Sequence, residues 1–252
     1  MDNRVTKKRI SIHLEYDWLK YLLILVAVII LWYFVFYQIN LTRDFEKVDI
    51  FFTCYGNSTP SIDREFLDVL EAENDDYIRE VNFNFQSPDN EYYSQLYTSH
   101  GYVADILIIP KYYMDNNGFF FKEWTDEFIE DLFTPAEGEE FDVDLNDLDF
   151  YHYTTEGKNP DNSYPEAEGK CYGIRVDNLS KIAVNNPPFW FDPQKMYPDS
   201  EIDETWTSED YTQYYLVISP NSIKIGDHGK DENYHHLTQT FRFVRWFVQK
   251  YA

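Results

Sequence analysis

The chain has 252 residues, with 45 acidic against 21 basic side chains, a formal net charge of −24, and 19% Phe, Tyr or Trp. That aromatic content excludes a disordered acidic tail, and the charge argues against nucleic acid and against adhesion to anionic lipid. Two cysteines, Cys54 and Cys171, with no C-x-x-C pair, speak against a redox or thiolate-zinc motif.

Residues 18–39, WLKYLLILVAVIILWYFVFYQI, are apolar on every face and carry a single charge, Lys20. A bilayer core about 30 Å thick is crossed by roughly 20 such residues at helical rise. Trp18, Tyr21, Trp32, Tyr33 and Tyr37 lie towards the ends of the run, where aromatic rings favour the headgroup interface. Ahead of it stand Arg4, Lys7, Lys8 and Arg9, which with Lys20 make five basic residues against Asp2, Glu15 and Asp17. Of the 21 basic and 45 acidic residues, 16 and 42 are then left for the remainder.

The Lys/Arg cluster sets orientation. It predicts a cytoplasmic N-terminus (1–17), a transmembrane signal anchor (18–39) and an extracytoplasmic domain (45–252) at the cell membrane. A cleaved signal peptide would have a shorter apolar region ending in small residues. Here Asn40, Leu41, Thr42 and Arg43 follow, which points to an uncleaved anchor.

Beyond the anchor, Val48 to Tyr55 (VDIFFTCY) is a buried-strand pattern, followed by the turn cluster GNSTPS. Ile62, Phe66, Val69 and Leu70 then recur at helical spacing, and Ile78, Val81, Phe83 and Phe85 read as a second strand. SerProAsp at 87–89 opens a helix through His100, which Gly101 closes. ADILIIP at 104–110 is apolar throughout, as in a strand buried on both faces of a parallel sheet.

EWTDEFIEDLF at 123–133 reads as a helix, and the acidic stretch 134–168 as surface loops. KCYGIRV at 170–176 and YYLVI at 214–218 are strand candidates, separated by the proline-broken loop NNPPFWFDPQ at 185–194. A closing helix, 236–251, places Leu237, Phe241, Val244 and Phe247 against the sheet. The order β-α-β-α-β predicts an α/β domain with a mixed, mostly parallel sheet flanked by helices. Ligands of such sheets sit outside the carboxyl ends of the strands.

VDIFFTCYG, REVNFNF and the unit EYYSQLYTSHGYVADILIIP together resemble the first lobe of extracellular solute-binding proteins, the substrate-capture components of ABC importers. Ala104-Asp105 matches the small residue and aspartate that open the third strand of that family. CYGIRVDN at 171–178 resembles its hinge strand, and YYLVISPNSIKIG at 214–226 its closing segment. The resemblance implies a periplasmic-binding-protein-like lobe, a small solute or sugar as ligand, and an ABC permease as partner. About 36 residues lie between the hinge-like strand and the closing segment, which implies one lobe rather than two. A transmembrane helix takes the place of the lipidated cysteine that many members carry.

Tyr55, Asn57, Ser58 and Thr59 follow the first strand and precede a helix, where backbone N–H groups and hydroxyls can hold a polar ligand; a simple turn with an N-cap is the plainer reading of the same residues. Lys111, Tyr112 and Tyr113 follow the third strand and line the same rim. Trp190, with Phe189, Phe191 and Tyr197, offers either a stacking platform for a sugar or the core of a small subdomain. DVDLND at 142–147 fails as an EF-hand, with Asp147 where glycine is needed and Tyr153 in place of glutamate. His228, His235 and His236 lack metal-ligand spacing. No G-x-S-x-G, H-E-x-x-H, P-loop or dinucleotide fingerprint occurs, so the sequence points to no enzyme, cofactor or metal. Two functional expectations follow: solute capture beside a membrane, or a module that docks on a membrane complex without a ligand. Cys54 and Cys171 are open to a disulfide or to burial as free thiols.

Overall fold

The computed structural model describes residues 7–42, 46–53, 62–72, 79–86, 92–135, 141–158, 161, 163–179, 181, 213–222 and 238–252. The chain divides into two compact units, Met1–Arg43 and Asp44–Ala252. The first holds helix α1 (Lys7–Asn40). Its segment Glu15–Ile39, whose most apolar 18 residues have a mean hydropathy of 2.6, is long and apolar enough to cross a membrane. Apolar side chains cover its whole circumference, Trp32 stacks on Phe36 at 5.3 Å, and Lys20 pairs with Asp17 at 2.7 Å near one end.

The second unit is an α/β layer structure. Its strands are β1 (Lys47–Thr53), β2 (Glu80–Gln86), β3 (Ile106–Pro110), β4 (Phe150–His152), β5 (Cys171–Arg175) and β6 (Tyr214–Ile218). They form one sheet in the order β2-β1-β3-β6-β5-β4. β1 pairs in parallel with β2 and β3, whereas β3–β6, β6–β5 and β5–β4 are antiparallel. The sheet is therefore mixed, but the expectation of a mostly parallel one is wrong. An apolar strand reports cover on both faces, and strand direction does not enter. YYLVI is buried at every position and is antiparallel to both neighbours.

One face of the sheet carries α2 (Ile62–Ala72), α5 (Asp126–Phe133) and α6 (Thr238–Tyr251). Phe66 from α2, Leu132 and Phe133 from α5, and Phe243, Val244, Phe247 and Val248 from α6 pack there. Against them the strands present Val48, Ile50, Phe52, Ile106, Ile108 and Leu216. Alternation along each strand sends the intervening residues Phe51, Leu107, Ile109, Tyr215 and Val217 to the other face. Each such aliphatic or aromatic side chain contributes roughly 1.5–3 kcal/mol when fully buried. α5 starts later than its sequence suggests: Thr125 Oγ1 accepts the Phe128 N–H at 3.2 Å as an N-cap, leaving Glu123 and Trp124 ahead of the helix.

The other face is covered by short pieces: α3 (Tyr93–Leu96), a π-helical turn (Tyr97–Gly101) and α4 (Lys111–Asn117). Residues 87–91 of the expected second helix lie outside the described residues. The stretch 134–168, expected as surface loop, contributes the edge strand β4 and the buried residues Leu148, Tyr151, Tyr153 and Ala167. A three-residue strand is too short for alternation to register in the sequence. Gly173 is fixed by the β5–β6 contact, because a Cβ there would run into the Leu216 carbonyl oxygen. Cys171 is a buried free thiol whose Sγ donates to the Gly173 carbonyl at 3.7 Å, and burial pushes its pKa up to about 11. Cys54 lies outside the described residues.

Candidate functional site

Pro110 ends β3 in an extended conformation (ψ 157°), and α4 begins at the next residue. Pro110 has no N–H of its own, and the next bond toward the β6 side runs from the Lys111 N–H to the Gln213 carbonyl at 2.8 Å. α4 then closes at Gly118, and a 3₁₀ turn, Gly118–Phe120, follows directly. On the N-terminal side of β3, the Tyr102 N–H reaches back five residues to the Tyr97 carbonyl at 2.8 Å, which makes the π-helical turn. Gly101 lets that turn lie on the sheet: a Cβ there would stand 2.8 Å from the Tyr97 ring and 3.3 Å from Phe51. Such turns widen a helix locally and recur at functional sites.

These short covers leave a cavity of about 580 Å³ on this face, within the range of small-molecule sites. Leu107 of β3 lines it, together with Tyr97 and Gly101 of the π-helical turn. Tyr113 and Asn117 come from α4, and Phe120 and Phe121 from just behind it. Tyr102 and Phe120 are 60% and 64% exposed, which places them at the mouth. The polar lining, Ser94, Thr98, Asn117, Ser219 and Asn221, is uncharged. Asn221 is held in place, its side chain donating to the Tyr102 carbonyl at 3.4 Å and its N–H to Ser219 Oγ at 3.2 Å. Burial raises the pKa of the Tyr97 phenol, which is therefore a neutral donor at physiological pH.

Asp105, only 3% exposed, braces this end of the sheet. Its carboxylate accepts the Asp49 N–H at 3.0 Å and the Ser222 hydroxyl. Its backbone pairs with Asp49 on one side and Ser219 on the other, joining β1, β3 and the segment after β6. The aspartate that opens β3 thus has a structural task here.

A second polar region lies where β3 and β5 end and β6 begins. Asp115 of α4 accepts from Tyr151 at 2.9 Å and from Lys111 at 2.7 Å, and its carbonyl accepts from Lys158. Lys158 also sits 3.7 Å over the Tyr153 ring. Burial pulls the Lys158 pKa down, and it raises the phenols of Tyr151 and Tyr215 far above their ordinary value, with Asp115 and Asp149 adding to the shift respectively. Arg175 forks onto Asp177 at 2.8–3.1 Å, and Asp177 in turn accepts the Tyr214 N–H at 2.7 Å. The charged groups at this edge are largely engaged with one another.

Of the residues expected at a binding rim, Tyr113 lines the cavity. Tyr112 packs edge-to-face on Tyr113 at 5.6 Å, and Lys111 is turned to Asp115. Tyr55, Asn57, Ser58, Thr59 and Trp190 lie outside the described residues, as do Phe189, Phe191, Tyr197 and the three histidines 228, 235 and 236. The acidic run 142–147 forms a local turn in which Asp144 accepts from the backbone and side chain of Asn146 at 2.9 and 2.7 Å. Among the described residues no cluster of metal-ligating side chains converges. Sequence reasoning missed Tyr97, Tyr102, Phe120 and Phe121; the signal was the aromatic density of YTSHGY and GFFF on either side of β3. No family model, curated protein or solved structure matches the chain.

Proposed function

We propose that this protein is a membrane-anchored, extracytoplasmic binding protein of the solute-binding type, capturing a small ligand in the aromatic cavity beside β3. The observation that carries the reading is the cavity itself: about 580 Å³, ring-walled, and rimmed by uncharged hydrogen-bonding groups. The span Glu15–Ile39 supports the anchor, and Arg4, Lys7, Lys8 and Arg9 ahead of it support a cytoplasmic N-terminus. Three further features agree with a solute-binding lobe: three parallel strands from the first half, the closing strand β6 beside β3, and a helix after it. In this reading a membrane permease of the ABC type receives the ligand.

The test is thermal unfolding of the full chain in lipid discs, against sugars, amino acids, peptides, aromatic amines and divalent cations. A ligand at 100 times its dissociation constant stabilises the fold by about 2.7 kcal/mol. Protection by one class, lost in Tyr113→Ala, is the expected result. A stable domain that no compound protects overturns the reading. The exposed Tyr102, Val103 and Phe120 favour a second reading, a module that docks on a membrane complex through this apolar rim. That reading predicts co-purification with a partner in mild detergent, lost in Phe120→Asp.

A further inference from the structure

We propose that the cavity selects a hydrophobic organic cation, a ring-bearing quaternary or protonated amine; this rests on the cavity being the binding site. None of the described residues lining it is charged, although 26% of the chain is Asp, Glu, Lys or Arg. An anion finds no arginine or lysine among the described lining residues, and the formal charge of −24 repels it on approach. A cation is drawn in by the same field. Tyr97, Tyr102, Tyr113, Phe120 and Phe121 supply rings, whose faces carry the negative lobe of the quadrupole and attract ammonium groups.

The same aromatic layer already holds an ammonium. Lys158 Nζ sits 3.7 Å from the Tyr153 ring centre. From Tyr153 the rings run on to Phe119 at 5.4 Å and from Phe119 to Phe120 at 4.3 Å, which brings the layer to the cavity mouth. Along this layer one lysine has taken a ring face, whereas the cavity presents rings and volume without a lysine of its own among its described lining residues. Uncharged partners such as Asn117 and Asn221 offer carbonyl oxygens to an N–H-bearing amine and place no competing cation beside it.

The experiment compares benzyltrimethylammonium with its neutral isostere neopentylbenzene. The full chain is held in discs of lipids lacking choline headgroups, with empty discs as the blank. Binding is read from the unfolding midpoint and from quenching of tyrosine and tryptophan fluorescence, within the solubility of the isostere. The cation is expected to bind at least tenfold more tightly than the isostere and to weaken as salt rises. Phe120→Leu, at an exposed position, is expected to lower cation affinity at least threefold and isostere affinity little. Equal or tighter binding of the isostere overturns the cation assignment and leaves the cavity a binding site. Silence from both probes, while another compound of the wider panel protects, also overturns the cation assignment alone. Silence from every compound overturns both readings.

Discussion

The two faces of the six-stranded sheet are lined by alternate residues of the same strands, yet they are finished differently. On one, three amphipathic helices bring in Phe66, Leu132, Phe243, Phe247 and their neighbours. On the other, a few turns of α- and π-helix bring rings that meet imperfectly, leaving a cavity between Tyr97, Tyr113 and Phe121. Long helices can slide until their ridges fill the grooves beneath them. Elements of four to seven residues, pinned by Pro110 at one end of β3 and by Gly101 at the other, have no such freedom. Both faces thus carry a buried cluster, but only the one finished by short elements keeps the cavity on which the proposed function rests.

The sharpest way to break this comparison is a truncation on each side. Phe247, fully buried with its ring against Phe243 and Tyr251, is expected to cost about 3–5 kcal/mol as Phe247→Ala, since the helices around it cannot close the gap. Denaturant midpoints of the full chain measure it. A loss below about 1 kcal/mol would mean that the helical face is not where the fold is held.

Alkali separates the faces less strongly. Burial raises the phenols of Tyr151 and Tyr215 on the cavity face, and of Tyr251 on the helical face, above the ordinary value of 10.0. Below that pH these phenols are neutral whether the chain is folded or not, and their full contribution is present. Above it the unfolded chain gives up its protons first, so stability falls by up to about 1.4 kcal/mol per pH unit for each tyrosine. Tyr151→Phe should flatten that fall. At neutral pH it should cost about 1.5–3 kcal/mol, the worth of a hydrogen bond to the Asp115 carboxylate. A melting midpoint that stays constant from pH 9 to 11.5 would contradict it.

How much of this was legible beforehand varies by face. Much of the helical face was readable, because Phe66, Val244 and Phe247 fall on helical stripes and VDIFF, ILII and YYLVI read as buried strands. Phe243, Val248 and Tyr251 were off the expected stripe, Phe241 is only half-buried, and Leu237 lies outside the described residues. The direction of β6 was not readable, since two-sided burial writes the same apolar run for either sense. β4 was hidden by its length, and Tyr151 and Tyr153 by the acidic stretch around them. For the site, the carboxyl-end rule led to Lys111 and Tyr112, which structure assigns to local pairing, and to Tyr113, which does line the cavity. Rings at 97, 102, 120 and 121 follow no period and converge only because β3 is flanked by short elements at both ends.

The smallest expected effect on stability bears most directly on function. Phe120 is 64% exposed at the cavity mouth and touches Phe119 at 4.3 Å between ring centres. A side chain already mostly in water loses little on truncation, so Phe120→Ala should stay within about 0.5 kcal/mol of the parent. Ligand protection should nevertheless fall, because a ring at the mouth shields a bound molecule from water while contributing little to the empty fold. Measuring both quantities on the same preparation makes the contrast with Phe247→Ala direct. A variant that unfolds easily would place Phe120 in the core; one that stays stable and still binds with parental affinity would move the recognition surface away from this end of β3.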